Sequence, residues 1–114
     1  MCPCRDMLDL LANKWSTLAI GALEDGPLRF GQLKVRLEGV SPKVLSQTLK
    51  RLEAAAFLTR TAYAEVPARV EYALTPLGVS AGAPLRELRG WVELNVHLDE
   101  HGSASKSAEG LRSI

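Results

Sequence analysis

The chain has 114 residues, a length that fits one domain around one core. Hydrophobic residues make up 46% and charged residues 24%, the balance of a soluble globular chain, and no apolar run approaches the roughly 20 residues needed to span a bilayer. The net charge is only +1, so the overall balance does not announce a nucleic-acid partner. Its distribution says more. Between Leu28 and Arg60 the bases Arg29, Lys34, Arg36, Lys43, Lys50, Arg51 and Arg60 face only Glu38 and Glu53, a net of +5, which leaves −4 for the rest. A basic middle in a near-neutral chain is the footprint of a phosphate-binding face, or else a solvated basic surface.

The first residues, Met1-Cys2-Pro3-Cys4-Arg5-Asp6, carry charge and no long apolar stretch. No secretory signal is expected there, and the expected location is cytoplasmic. Leu8, Leu11, Trp15, Leu18, Ala19 and Leu23 recur at helical spacing, and Asn13 interrupts the run or caps its second piece. Glu24-Asp25-Gly26-Pro27 is a stop. Arg29 to Leu37 reads as a short helix with Phe30, Leu33 and Leu37 inward, ended by Glu38-Gly39. Ser41-Pro42 is an N-cap followed by proline at the first helical position. The helix it starts is expected to run to about Ala56, with Leu45, Leu49 and Leu52 inward and Val44 at the margin. Lys43, Ser46, Gln47, Lys50 and Arg51 face outward.

Thr59 to Ala64 and Val70 to Leu74 read as the two strands of a ribbon, joined by a turn over Glu65-Val66-Pro67-Ala68-Arg69. Thr75-Pro76 repeats the cap-plus-proline start, and a long helix is expected to about Leu98, kinked or broken at Pro84. Residues 102–114, rich in Ser, Ala, Gly and Lys, read as a disordered tail behind a single domain over 1–101.

Two helices joined by a tight glycine-containing connection and followed by a β-ribbon make a winged helix-turn-helix. In that reading the Arg29–Leu37 helix crosses the DNA backbone and the helix from Pro42 enters the major groove. Gln47 can pair with adenine, and Lys43 and Lys50 can reach guanine or phosphate. Ser41 and the first-turn N–H groups can meet a phosphate, and the ribbon places Arg69, and with it Arg60, against the minor groove or its phosphates. The expected DNA-binding set is therefore Arg29, Ser41, Lys43, Ser46, Gln47, Lys50, Arg51, Arg60 and Arg69.

The chain resembles the HxlR-type family of winged-helix regulators. The resemblance rests on Cys2-Pro3, Lys14-Trp15, the block Gly26 to Leu33, the block Val40 to Glu53, Val66-Pro67, the block Val70 to Gly78, and Trp91. It covers about residues 2 to 98. It implies a homodimer built from N- and C-terminal helices, a palindromic operator and control of transcription. The expected fold class is thus mainly α with a small β-ribbon, a winged helix-turn-helix with added N- and C-terminal dimerisation helices. Leu8, Leu11, Leu85, Leu88, Trp91 and Val92 are the expected dimer surface. Two departures stand out. Ala12-Asn13 replaces the Gly-Gly usual before Lys-Trp, and Ala54-Ala55-Ala56-Phe57 lacks the usual acid and glycine, so the link into the wing is expected to differ.

Cys2-Pro3-Cys4 resembles the sensing end of redox-responsive members, where an oxidant or electrophile would act on the thiol and pairing across the dimer is favoured over a strained Cys2–Cys4 bridge. Two ordinary reduced cysteines are the competing reading. His97 and His101 stand i, i+4 with Glu93 a turn earlier, but the solvated reading is preferred and no metal or cofactor is expected. No catalytic constellation is present, so the chain reads as a non-enzyme. A thiol redox enzyme and a winged helix used only for protein contact are the alternatives. A small-molecule or oxidant effector fits the reading, without a polar cluster to mark its pocket.

Overall fold

A computed structural model describes residues 3–98, the side chains of Pro3, His97 and Leu98 excepted. Cys2, His101 and the tail expected over 102–114 lie outside the described residues. The elements in chain order are α1 (Pro3–Leu11), α2 (Lys14–Leu23), β1 (Leu28–Arg29), α3 (Phe30–Arg36), α4 (Pro42–Ala54), β2 (Leu58–Tyr63), β3 (Arg69–Leu74) and α5 (Pro76–Leu98). The chain divides into two compact units, the first ending at Gly82 and the second starting at Ala83. Among the described residues no helix is long and apolar enough to cross a membrane.

Local chemistry sets most boundaries of the first unit. Asn13 is the N-cap of α2: its Oδ1 accepts from the N–H of Trp15 at 2.9 Å and of Ser16 at 3.3 Å. The residue that departs from the family pattern thus supplies a cap. α2 buries Ala19, Ile20 and Leu23, and the chain then turns through Gly26 at φ +136, a backbone state suited to glycine. Gly39, at φ +92, serves the α3–α4 turn in the same way. Leu33 and Leu37 from the α3 region, Leu45, Leu49 and Leu52 from α4, and Phe57 and Leu58 beyond it complete the core. Each such side chain contributes about 1.5–3 kcal/mol on burial.

The ribbon is a three-stranded antiparallel sheet of order β1-β3-β2. Leu28 and Arg29 pair with Tyr72 and Glu71, so Arg29 lies in a strand rather than in the first helix of the pair. A two-residue strand has no periodicity to read; it exists because β3 offers a free edge. β2 and β3 each begin one residue earlier than the alternation implies, at Leu58 and Arg69, in register from Leu58↔Leu74 to Tyr63↔Arg69.

The link from α4 into the wing keeps the form that glycine usually supplies. α4 ends at Ala54, two residues earlier than expected. The Phe57 N–H donates to the Leu52 carbonyl at 2.9 Å and the Ala56 N–H to the Glu53 carbonyl at 2.9 Å. This is the paired 6→1 and 5→2 pattern of a Schellman end, with Leu52 and Phe57 both buried beneath it. Its left-handed position is Ala56, at φ +68. Thr75 then ties the two helix ends together. Its hydroxyl donates to the Ala56 carbonyl at 2.6 Å and accepts from the Gly78 N–H at 3.1 Å, capping α5. Gly78 packs so close to the Phe57 carbonyl oxygen that a Cβ would collide with it.

α5 is a single helix from Pro76 to Leu98, unbroken at Pro84. Proline withholds one N–H from the ladder there, and the helix continues past it. In the second unit Leu88, Trp91, Val92, Leu94 and Val96 are exposed, Trp91 by 50%, while Leu85 is buried. In the first unit Leu8 is 65% exposed and Leu11 half-buried.

Candidate nucleic-acid interface

α4 is the centre of the site, and its placement follows from its own sequence. Ser41 stands extended at the N-cap and its Oγ accepts from the Val44 N–H at 3.1 Å, with Pro42 opening the first turn. Thr48 is buried and its hydroxyl donates back to the Val44 carbonyl at 2.8 Å, so this polar side chain in the inward stripe is satisfied. Leu45, Leu49 and Leu52 anchor the inner face, which leaves Lys43, Gln47, Lys50 and Arg51 exposed and Ser46 half-buried on the outer one. The helix preceding α4 is held at its start by the Gln32 Oε1, which accepts from the Arg29 N–H at 2.8 Å.

The cations of this face are free to act. Among the described residues Arg29, Lys43, Lys50, Arg51 and Arg60 form no ion pair within 4.0 Å. Arg36 approaches Asp25 at 3.9 Å, both side chains well solvated, a contact worth little.

Arg69 is different. Its guanidinium meets Glu65 at 2.8 Å and Glu71 at 3.7 Å, and it stacks over the Tyr63 ring at 4.2 Å from the centroid. Its side chain is only 29% exposed. The base expected to reach DNA from the wing is therefore bound within the wing itself, between two carboxylates.

Two clefts flank α4. On the α2 side, a cleft of about 420 Å³ is lined by Asn13, Val44, Gln47, Thr48, Lys50 and Arg51. On the wing side, a cleft of about 320 Å³ is lined by Ser46, Leu49, Lys50, Glu53, Arg60 and Tyr72. Asn13, Glu53 and Tyr72 also line this face, beyond the residues expected there. For Tyr72 the signal is the hairpin register, which sets it opposite Arg60.

Of the cysteines, Cys4 lies in the first turn of α1, exposed and unbridged. Among the described residues no group of three or more His, Cys, Asp or Glu side chains could hold a metal ion.

The architecture has close counterparts. A family model described as HxlR-like helix-turn-helix matches residues 10–100. The chain is 43% identical over 95 residues to the HTH-type transcriptional regulator YtfH of Escherichia coli K12, covering 83% of this chain and 75% of that protein. The structure of the transcriptional regulator ytfH from Salmonella typhimurium superposes with a TM-score of 0.79 at 42% identity, over 86% of this chain and 88% of that one. The reduced form of the regulator YodB from Bacillus subtilis superposes with a TM-score of 0.70 at 34% identity, over 82% and 92% of the two chains, and YodB has also been solved after diamide treatment. With the three-stranded sheet, the capped α4 and these likenesses together, the chain belongs to the HxlR-like helix-turn-helix family.

Proposed function

We propose that this chain is a transcriptional regulator that reads duplex DNA with α4 in the major groove, acting in the cytoplasm as a homodimer on a palindromic operator. The observation that carries the reading is the division of α4: an inner face of buried Leu45, Leu49 and Leu52, and an outer face where Lys43, Gln47, Lys50 and Arg51 are exposed and the three cations form no ion pair among the described residues. Donors left unpaired on one helix face suit phosphates and base edges. Ser41, at the helix start, and Ser46 stand on the same side, and Arg29 and Arg60 would add backbone contacts. Arg69, held by Glu65 and Glu71, would meet DNA with its charge already partly offset. The names of the relatives YtfH and YodB as transcriptional regulators support the reading.

Dimerisation is proposed from apolar surface that would otherwise stay exposed to water: Met7 and Leu8 on α1, and Leu88, Trp91 and Val92 on α5. Two α4 helices would then lie about one DNA turn, roughly 34–36 Å, apart. Cys4, exposed at the start of α1, and Cys2 are proposed as the thiols of a redox response. In that response two thiols of the dimer would give two protons and two electrons to an oxidant such as diamide as an S–S bond forms between subunits.

The test is a titration of the full chain against the promoter DNA flanking its own gene, at two salt concentrations, with and without diamide. Tight, salt-sensitive binding above a mixed-sequence duplex is the expected result, lost on oxidation. Equal binding to both duplexes would refute the operator, and binding indifferent to diamide would refute the thiol response. An α4 used only for protein contact would show no DNA binding at all.

A further inference from the structure

A helix lying in the major groove has a phosphate backbone on either side, and the wing-side cleft of this chain is built differently from a generic basic surface. We propose that this cleft seats one DNA phosphodiester, held by Lys50, Arg60 and the Tyr72 hydroxyl, with Glu53 in the same cleft limiting how tightly it grips. The proposal rests on the reading of α4 as the groove-entering helix.

The placement follows from two regular elements. Ser46, Leu49, Lys50 and Glu53 recur at i, i+3, i+4 and i+7, one stripe of α4. Arg60 on β2 stands directly opposite Tyr72 on β3, so their side chains share one face of the sheet. Leu49, 1% exposed, closes the floor between helix and sheet. The polar groups therefore converge over an apolar base, Lys and Arg as charged donors and the phenol as a neutral one.

Charge selects the occupant. Two cations and one carboxylate leave the cleft at +1, the complement of a phosphodiester monoanion rather than of a dianion. No ion pair within 4.0 Å ties Lys50, Glu53 or Arg60 to any neighbour among the described residues, so the cations need not break a bond to bind. The contrast with Arg69, held by Glu65 and Glu71, moves the wing's phosphate grip from its tip to its root. Glu53 is the unusual member. A carboxylate beside a bound phosphate repels it, which lowers affinity on every sequence alike, the operator included.

The experiment measures the salt dependence of binding of the full chain to its promoter duplex and to a mixed-sequence duplex of equal length. Thermal melts of each variant check that it is folded. Arg60→Ala should reduce the slope of log affinity against log salt by about 1 on both duplexes, and Arg60→Lys should keep it. Tyr72→Phe should weaken both about tenfold. Glu53→Gln should tighten both several-fold and steepen the slope. An unchanged slope for a folded Arg60→Ala, or weaker binding by Glu53→Gln, would overturn the proposal while wild-type binding leaves the regulator reading standing. Inorganic phosphate replacing chloride at matched ionic strength should not displace DNA. Displacement that Arg60→Ala abolishes would assign the cleft to a free phosphate instead. Failure of the wild type to bind either duplex would remove both this seat and the reading beneath it.

Discussion

Replacing Ala56 with glycine should stabilise the protein, although it removes a side-chain carbon. Ala56 sits at φ +68, in the left-handed region, and closes the Schellman end of α4. An L-residue with a Cβ held in that region is strained by roughly 1–2 kcal/mol. Glycine escapes that strain but adds about 0.4–1 kcal/mol of unfolded-state entropy to be lost on folding. Ala56 is exposed, so its methyl group leaves no cavity behind. The balance is a gain of about 0.5–1 kcal/mol, which in a domain of this size raises the melting midpoint by roughly 3–6 °C. Differential scanning calorimetry on the two proteins reads it directly. The matched control is Ala54→Gly, the same chemical change at the last residue of α4, which should lower the midpoint instead. A midpoint that falls or stays level for Ala56→Gly would refute the argument, since it would mean that the left-handed position carries no strain to relieve.

Other substitutions test separate links. Gly78→Ala should cost about 3 kcal/mol, because its Cβ meets the Phe57 backbone carbonyl and not the yielding tip of a side chain; urea denaturation measures it. Ser41→Ala should destabilise by about 1 kcal/mol through loss of the cap to the Val44 N–H, and a smaller loss in thermal melts would show that water replaces the hydroxyl fully. Gln47→Ala should weaken promoter binding with little change on mixed-sequence DNA, whereas Lys50→Ala should weaken both and lower the salt slope; fluorescence anisotropy with both duplexes separates the two roles. Unaltered promoter affinity in both variants would take α4 out of the reading role.

How far the fold was legible depends on the range of the interactions that decide each piece. α4 is readable end to start: Ser41 and Pro42 set its beginning, and the spacing of Leu45, Leu49 and Leu52 sets its inner face, so Lys43, Gln47, Lys50 and Arg51 must point out. Asn13 as a cap and Gly39 as a turn residue are equally local. β1 was missed because two residues have no pattern, and Leu28 and Arg29 become a strand only through β3. Of the kink or break expected at Pro84, the break does not occur: the helix from Pro76 continues past it to Leu98, the loss of one N–H being confined to a single turn.

The candidate site divides along the same line. The sequence by itself determined that one helix carries a donor-rich face beside a basic stretch, because helical periodicity is a property of neighbours along the chain. Only the tertiary structure decided what each cation is free to do. The turn after β2 and the strand β3 bring Glu65 and Glu71 onto Arg69, and the hairpin register sets Tyr72 beside Arg60 facing the Ser46–Glu53 stripe of α4. The pairing of Tyr72 with Arg60 and its approach to α4 join residues that the sequence leaves apart, whereas Glu65, Arg69 and Glu71 lie within six residues of one another and meet because the turn and strand fold their side chains together.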